Sequence, residues 1–291
     1  MKLGYPVISY SLQRVGIEPY RNLSESENRG KTYLQNLEDL KSLLKWNEEQ
    51  GIKFYRVSNH FAPNDIEKLS ESSEILKAFE EIGEFVTAHN HRLSFHCSHY
   101  AVLASPKDWV RRLSRIEIES QSKFFDLLGL SPSHWNKINI HVGGAYRNRE
   151  NTIKEWVKEW EKLSDSAKSR LVVENDDKAS LYSVDFLYKN LYKEIGIPIT
   201  FDSFHHNFCN SGETKEEAAK MAASTWKSAE PCFHFASSKN LNESSSAITA
   251  HAEWIYEEIT DWGTGAWTMV ESSKRDLSII RYLKEGVKKS A

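Results

Sequence analysis

Cysteine is scarce in this chain of 291 residues, and its placement excludes two kinds of scaffold. The three cysteines, Cys97, Cys209 and Cys232, lie far apart, and no CxxC pair occurs. An odd number of widely spaced thiols fits neither a disulfide framework nor a zinc site built from thiolates. We therefore expect the three thiols to be buried and reduced.

Long hydrophobic runs and a basic excess are also missing. No apolar run approaches the ~20 residues of a membrane-spanning helix, and the sequence after Met1 predicts a strand where a signal peptide would have its apolar segment. These features predict a soluble, cytoplasmic protein that does not bind membranes. The formal net charge of -3 argues against a uniformly basic coat for nucleic acid but is compatible with a local basic groove.

Strand-like apolar runs alternate with segments of helical periodicity along the whole chain. The predicted strands are residues 3–9, 54–58, 92–96, 137–142, 171–174, 197–202, 232–235 and 266–271. The predicted helices are residues 31–49, 74–89, 108–128, 152–163, 179–194, 214–228, 250–259 and 274–288. Eight β/α units without a linker predict an α/β fold, a (β/α)8 TIM barrel that forms a single domain over residues 1–291.

Carboxylates and imidazoles follow the predicted strands at the points where these end. An open doubly wound sheet would concentrate such residues at one switch point, whereas here they follow most strands. In a barrel all these ends meet at one rim, so we expect the residues to form one site. A lone histidine is more often structural than a ligand, but this number of coincidences favours ligands. The residues are His96, His141, Glu174, Asp202, His205, His234 and Glu271.

A mixed set of histidine and carboxylate ligands suits Mn²⁺ or Zn²⁺ better than Ca²⁺ or Mg²⁺. Neighbouring carboxylates need cations to offset their repulsion, and a carboxylate such as Glu174 can bridge two ions. A cluster of this kind hydrolyses phosphodiesters. His251 and His60 are further candidate ligands, because the first follows a serine-rich loop and the second follows the second predicted strand.

Seven short stretches, taken in order, match one known family. They are Leu3-Gly-Tyr5, Phe54-Tyr-Arg-Val-Ser58, Leu93-Ser-Phe-His96, His141-Val-Gly-Gly144, Leu171-Val-Val-Glu-Asn-Asp-Asp177, Phe201-Asp-Ser-Phe-His-His206 and Met269-Val-Glu271. On these stretches the chain resembles the UV damage endonuclease family, which is related to endonuclease IV. The resemblance implies a TIM barrel with two or three divalent ions, Mn²⁺ in the first place and Zn²⁺ as the alternative. It also implies a monomer that nicks double-stranded DNA on the 5′ side of cyclobutane pyrimidine dimers or 6-4 photoproducts, without ATP.

The resemblance also implies roles for individual residues. Glu174, Glu271 and Tyr5 would be catalytic, with Tyr5 near the metals. His60 would substitute for a family histidine that is missing here, and Cys232 stands where family members have a carboxylated lysine, so that carbamate bridge is absent or replaced. The implied metal ligands are His96, His141, Glu174, Asp202, His205, His234, His251 and Glu271.

The resemblance places DNA contacts in the loops that leave the same rim. A Gln-Tyr pair that probes the damaged duplex in family members falls on His99 and Tyr100, so the tyrosine is kept and the glutamine is replaced. Basic side chains in these loops are candidates for phosphate contacts. These candidates are Arg14, Arg147, Arg149, Lys239, Lys274 and Arg275.

Three other functions are compatible with parts of the pattern. An abasic-site endonuclease of the endonuclease IV type would use the same ligands, and so would a metal-dependent sugar isomerase on the same barrel. A DNA-binding module without catalysis would not require so many convergent ligands. The large number of histidines and the loop of His99 and Tyr100 favour a nuclease.

Overall fold

The predicted barrel is confirmed. The computed structural model describes residues 2–146, 148–227, 229–243 and 247–288. Within these residues eight parallel strands close into a barrel in which each strand pairs with its neighbours in the sequence, and the last pairs with the first. The strands are β1 Leu3–Pro6, β2 Phe54–Arg56, β3 Arg92–His96, β4 Ile138–His141, β5 Leu171–Glu174, β6 Ile199–Asp202, β7 Cys232–Phe235 and β8 Trp267–Val270.

Helices follow the strands and form the outer layer of the barrel. A π-helical turn, Tyr188–Tyr192, joins α8 to α9. No helix among the described residues is long and apolar enough to cross a membrane. The helices are α1 Tyr10–Gln13, α2 Arg29–Glu49, α3 Ile66–Leu69, α4 Ser73–Ala88, α5 Asp108–Leu127, α6 Arg149–Trp160, α7 Asp165–Lys168, α8 Val184–Leu187, α9 Lys193–Ile195, α10 Lys215–Ala223, α11 Lys239–Asn242 and α12 Arg275–Glu285.

Successive side chains of each strand face alternately toward the helices and toward the barrel interior, which separates the apolar core from the polar residues inside the barrel. In β4, Ile138 and Ile140 belong to the large apolar core that packs between sheet and helices. Asn139 points the other way, because its side-chain nitrogen donates to Glu174 of β5 inside the barrel. Since successive side chains of a strand lie on opposite faces, His141 also faces the interior.

The half of the barrel interior near the beginnings of the strands is filled by apolar side chains. Phe54, Val172, Cys232 and Met269 belong to a second buried cluster there. Arg92, at the start of β3, is fully buried below them and donates from Nε to the carbonyl oxygen of Trp135 over 2.8 Å. Because this end of the barrel is filled, the interior polar residues near the strand ends are confined to the opposite half.

One predicted helix is wrong. Residues 250–259 form an irregular segment, and the short helix α11 precedes it. Tertiary hydrogen bonds explain the difference, because the backbone nitrogen of Ala252 donates to the carbonyl oxygen of Ser237 over 2.8 Å, and that of Tyr256 donates to the Ser237 hydroxyl over 3.0 Å. Such contacts override a weak helix propensity.

Candidate metal centre

Glu174 lies at the centre of the polar half of the barrel. Its side chain is fully buried at the end of β5. Its Oε2 atom lies 3.2 Å from Nε2 of His96 and 3.0 Å from Nδ1 of His234, and its Oε1 atom lies 3.4 Å from Nδ1 of His205. Residues from β3, β7 and the end of β6 therefore converge on one carboxylate.

Two groups of residues in the described part of the chain have the spacing of a metal site. One consists of His96, His141 and Glu174, and the other consists of Glu174, Asp202 and His205. In each group the ligand atoms lie within 4.8 Å of one another. Both groups contain Glu174, so this carboxylate is shared by the two candidate sites.

Backbone carbonyls fix the orientation of two of these histidines. Nδ1 of His96 lies 2.8 Å from the carbonyl oxygen of Cys97, and Nδ1 of His205 lies 3.0 Å from that of Asn175. A carbonyl oxygen only accepts, so Nδ1 carries the hydrogen in both rings. The Nε2 lone pair of each ring is left for a ligand, which is the usual arrangement of metal-binding histidine.

Asp202 has one constrained and one unpartnered oxygen. Its Oδ1 accepts from the backbone nitrogens of Phe204 over 2.7 Å and His205 over 2.8 Å. Its buried Oδ2 has no hydrogen-bond partner, and the same is true of Oε1 of Glu174. Buried carboxylate oxygens without a donor are costly unless a cation neutralises them.

The pKa values show that this side of the centre has excess negative charge. Burial alone lowers the pKa of His141, but the carboxylates of Glu174, Asp176 and Asp202 outweigh it and raise that pKa to about 10. Burial also opposes protonation of His205, yet Asp202 and Glu174 raise its pKa to about 8. In the absence of metal the cluster attracts protons instead, so its residues fit divalent cations.

In the metal-free protein, His141 and His205 together should contribute less to stability as the pH rises from about 6.5 to about 8. His141 and His205 stay protonated in the folded chain over this range, whereas an unfolded histidine loses its proton near ~6.5. The folded state then binds more protons, and each full extra proton lowers the free energy of unfolding by about 1.4 kcal/mol per pH unit. Above about pH 8 the depressed pKa of Lys137 acts in the opposite direction.

Urea denaturation of the EDTA-treated chain at several pH values measures this slope. The variant His141→Asn is the matched control and should show a smaller slope, because it lacks one of the titrating rings. The free energy of unfolding of the unaltered chain, relative to that of His141→Asn, should fall across this range, and a relative value that is constant or rises would contradict the raised pKa of His141.

The side of the centre near β7 and β8 contains two cations that the sequence analysis assigned no role. Arg56 of β2 donates to Oε1 of Glu271 over 2.5 Å. The Lys137 ammonium nitrogen, just before β4, lies 3.0 Å from Nε2 of His234. Burial lowers the pKa of Lys137 to about 8. His251 lies further out, with Nδ1 at 3.6 Å from Oε2 of Glu271.

Two predicted site residues, Tyr5 and His60, are not among the candidate ligands of these groups. Tyr5 was expected near the metals, but its hydroxyl lies 2.8 Å from Oδ1 of Asn47 on α2, outside the sheet. The reason is alternation along β1, which directs Tyr5 toward the helices. The ring of His60 stacks on Tyr20 with the centroids 3.7 Å apart, and His60 belongs to neither group of candidate ligands.

The candidate DNA contacts are in different environments. His99 and Tyr100 are exposed in the loop after β3, and Tyr100 is 88% exposed. Arg14 is exposed after α1, and Lys239 begins α11 in a partly exposed position. Three other candidates are engaged or not described. Arg149 donates to the Leu181 carbonyl oxygen over 2.9 Å, Lys274 lies 3.4 Å from Glu253, and Arg147 lies outside the described residues.

Two adjoining cavities open at this rim. A cleft of about 500 Å³ is lined by His96, Glu271 and Arg275, the last of which is one of the basic candidates for phosphate contact. A more apolar cavity of about 820 Å³ is lined by Tyr100 and Trp109. Both include His99 in their lining, so the two cavities adjoin beside the candidate ligands.

Comparison with known proteins identifies relatives of this chain. Two proteins named UV DNA damage endonuclease are 30% identical to the chain. The relative from Clostridium perfringens matches over 85% of this chain and 61% of its own length, so the matched part is less than two thirds of that protein. The relative from Bacillus thuringiensis subsp. konkukian matches over 91% of this chain and 86% of its own length.

Solved structures extend the comparison to the fold. The crystal structure of SacUVDE is 28% identical, covers 98% of this chain and 97% of its own, and has a TM-score of 0.85. Endonuclease IV from Thermus thermophilus, at 12% identity and a TM-score of 0.58 over 98% and 97% of the two chains, shares the fold alone. The family model described as UV-endonuclease UvdE matches residues 6–290, and the chain therefore belongs to this family of DNA endonucleases.

Proposed function

We propose that this endonuclease nicks the DNA backbone on the 5′ side of UV photoproducts in a metal-dependent reaction. The observation that carries the proposal is the buried carboxylate of Glu174, which two candidate metal-ligand groups share beside a cleft. The names of the relatives support UV-damaged DNA as the substrate. Cyclobutane pyrimidine dimers are the proposed lesions, with 6-4 photoproducts and abasic sites as further candidates.

We propose one divalent ion for each group, Mn²⁺ in the first place and Zn²⁺ as the alternative. Ions there would supply positive charge to the phosphoryl group and make a nucleophile from water at neutral pH. Glu174 would be shared by both ions. Asp202 would offer its unpartnered Oδ2, and His96 and His205 their Nε2 atoms.

The residues around the centre have supporting roles in this proposal. Asn139 donates to Oε2 of Glu174 and so orients the carboxylate. Asp176, with Oδ1 at 3.3 Å from Nδ1 of His141, would favour the tautomer in which Nε2 of that ring binds metal. Arg275 in the cleft would contact a backbone phosphate, where its permanent charge suits a phosphodiester. Tyr5 takes no part in the reaction.

The loop of His99 and Tyr100 is proposed to sense the damage. It lies directly after His96, so an exposed ring there is close to the metal groups. A photodimer stacks and pairs poorly, and opening the duplex at that step therefore costs less than at an intact step. Tyr100 would fill the opened position, next to the apolar cavity that it lines with Trp109.

A single assay tests the proposal. Three duplexes of one sequence would carry a thymine dimer, an abasic site or no damage, and each would be incubated with the chain in Mn²⁺ or in EDTA. We expect a nick 5′ of the dimer in Mn²⁺, none in EDTA and none in the undamaged duplex. Incision of the abasic duplex without incision of the dimer would contradict the proposal in favour of an abasic-site endonuclease.

A further inference from the structure

His234 differs from the other histidines of the centre in its hydrogen bonds. Backbone carbonyls accept from Nδ1 of His96 and His205, and Nε2 of His96 faces the carboxylate oxygen Oε2 of Glu174 over 3.2 Å. His234 has the opposite arrangement, because Nε2 lies 3.0 Å from the Lys137 ammonium nitrogen and 3.1 Å from Nη2 of Arg56. The ring nitrogen Nε2, which would bind metal in His96 and His205, thus faces two cations in His234.

These contacts determine the tautomer of His234. An ammonium and a guanidinium only donate hydrogen bonds, so Nε2 must accept. The ring hydrogen is therefore on Nδ1, which lies 3.0 Å from Oε2 of Glu174 and donates to it. Both ring nitrogens are used, and His234 has no lone pair left for a metal ion.

The two cations are built into the barrel. Lys137 is 1% exposed, and its nitrogen also lies 2.9 Å from Oδ1 of Asn139 and 3.0 Å from Oγ1 of Thr200. Its three hydrogens thus have three acceptors, as a buried ammonium requires. Arg56 donates to Glu271 over 2.5 Å. Together they supply two positive charges, which equals the charge of one divalent ion.

We propose that Lys137 and Arg56 form an internal cation pair that takes the place of a divalent ion near β7 and β8. In this arrangement His234 is a positioning residue that orients Glu174, and it is not a metal ligand. The inference rests on the proposed metal-dependent function. It changes the expected ligand set, because metal binds at the two groups that contain neither His234 nor Glu271.

Metal stoichiometry tests this inference. The full chain would be stripped of metal, loaded with Mn²⁺, passed through gel filtration and analysed by mass spectrometry for manganese. We expect two ions in the unaltered chain, one for each group. His234→Gln should keep two, because a glutamine amide can accept from the cation pair and donate to Glu174. The matched variant His205→Gln removes a proposed ligand and should retain one.

A measurement on the unaltered chain avoids dependence on how the variants fold. With ¹⁵N-labelled histidine and Zn²⁺ as the probe, Nε2 of His96, His141 and His205 should shift on metal binding, while Nδ1 of His234 keeps its proton. A metal-induced shift of a His234 nitrogen, or loss of one ion in His234→Gln alone, would overturn the inference and leave the proposed function intact. A chain that binds no Mn²⁺ would overturn both.

Discussion

Glu174→Gln should abolish incision of dimer-containing DNA while leaving the fold intact. The substitution removes the negative charge that two candidate ligand groups share, so both ions would lose a ligand. Metal-assisted phosphodiester hydrolysis depends on several kcal/mol of charge stabilisation, and a loss of about 4 kcal/mol corresponds to a decrease of about 10³-fold in rate. Single-turnover incision of the dimer duplex in Mn²⁺ measures this decrease.

The matched control is Glu230→Gln, which changes a carboxylate at the opposite end of the barrel. Glu230 accepts from Trp267 over 2.5 Å and lies 2.6 Å from the Lys2 ammonium, and it precedes β7, whereas the proposed ligands lie at the carboxyl ends of the strands. We expect this variant to incise at the normal rate. Circular dichroism and melting temperature would show whether both variants are folded. Near-normal nicking by a folded Glu174→Gln variant would refute the role of Glu174.

Most of the barrel could be predicted because apolar strands and amphipathic helices alternate regularly. The exception is informative, since residues 250–259 have helix-like periodicity but form irregular structure. Ala252 and Ile255 are buried, so the spacing of apolar residues correctly predicted which side chains are buried. Their backbone bonds are made to distant partners, and the carbonyl oxygen of Ile255 accepts from the nitrogen of Lys288 over 2.8 Å. Periodicity alone does not reveal such long-range bonds.

Part of the candidate site could be predicted because parallel strands end at one rim. His96 and His205 both fall within hydrogen-bonding or ion-pair distance of Glu174 although the three residues are far apart in sequence. The sequence signal was the position of each residue at a strand end. The same reasoning did not distinguish a ligand from a positioning residue, because that depends on which ring nitrogen is already occupied.

Two residues of the centre, Lys137 and Asn139, were not predicted from the sequence, and both precede His141 along the chain. Asn139 in β4 and Lys137 just before it face the barrel interior like His141, two and four residues before it. Because successive side chains of a strand face opposite sides, the inward position of His141 predicts that Asn139 and Lys137 also face the barrel interior. The same rule predicts that Tyr5 of β1 faces the helices. A buried lysine is rare enough that its sequence position alone favours a solvated charge. Only the contact with His234 across the barrel shows its environment.

Tyr100→Ala should reduce binding and incision of dimer-containing DNA by ten- to a hundredfold. Tyr100 is 88% exposed, so its ring contributes little to packing within the chain. Stacking of a base on an aromatic ring contributes about 1–3 kcal/mol, and about 1.4 kcal/mol corresponds to tenfold in affinity. Metal content should be unchanged, because Tyr100 contributes no candidate ligand. Affinities for dimer-containing and undamaged duplexes of one sequence, together with incision rates, measure the effect.

Tyr100→Phe is the matched control, since it keeps the ring and removes only the hydroxyl. We expect it to bind the dimer duplex almost as tightly as the unaltered chain, because the stacking face is retained. The melting temperatures of both variants should equal that of the unaltered chain, as expected for a side chain in solvent. The discrimination between the two duplexes decides the outcome. If Tyr100→Ala weakened binding to damaged and undamaged DNA equally, the ring would be a general DNA contact and would not sense the lesion.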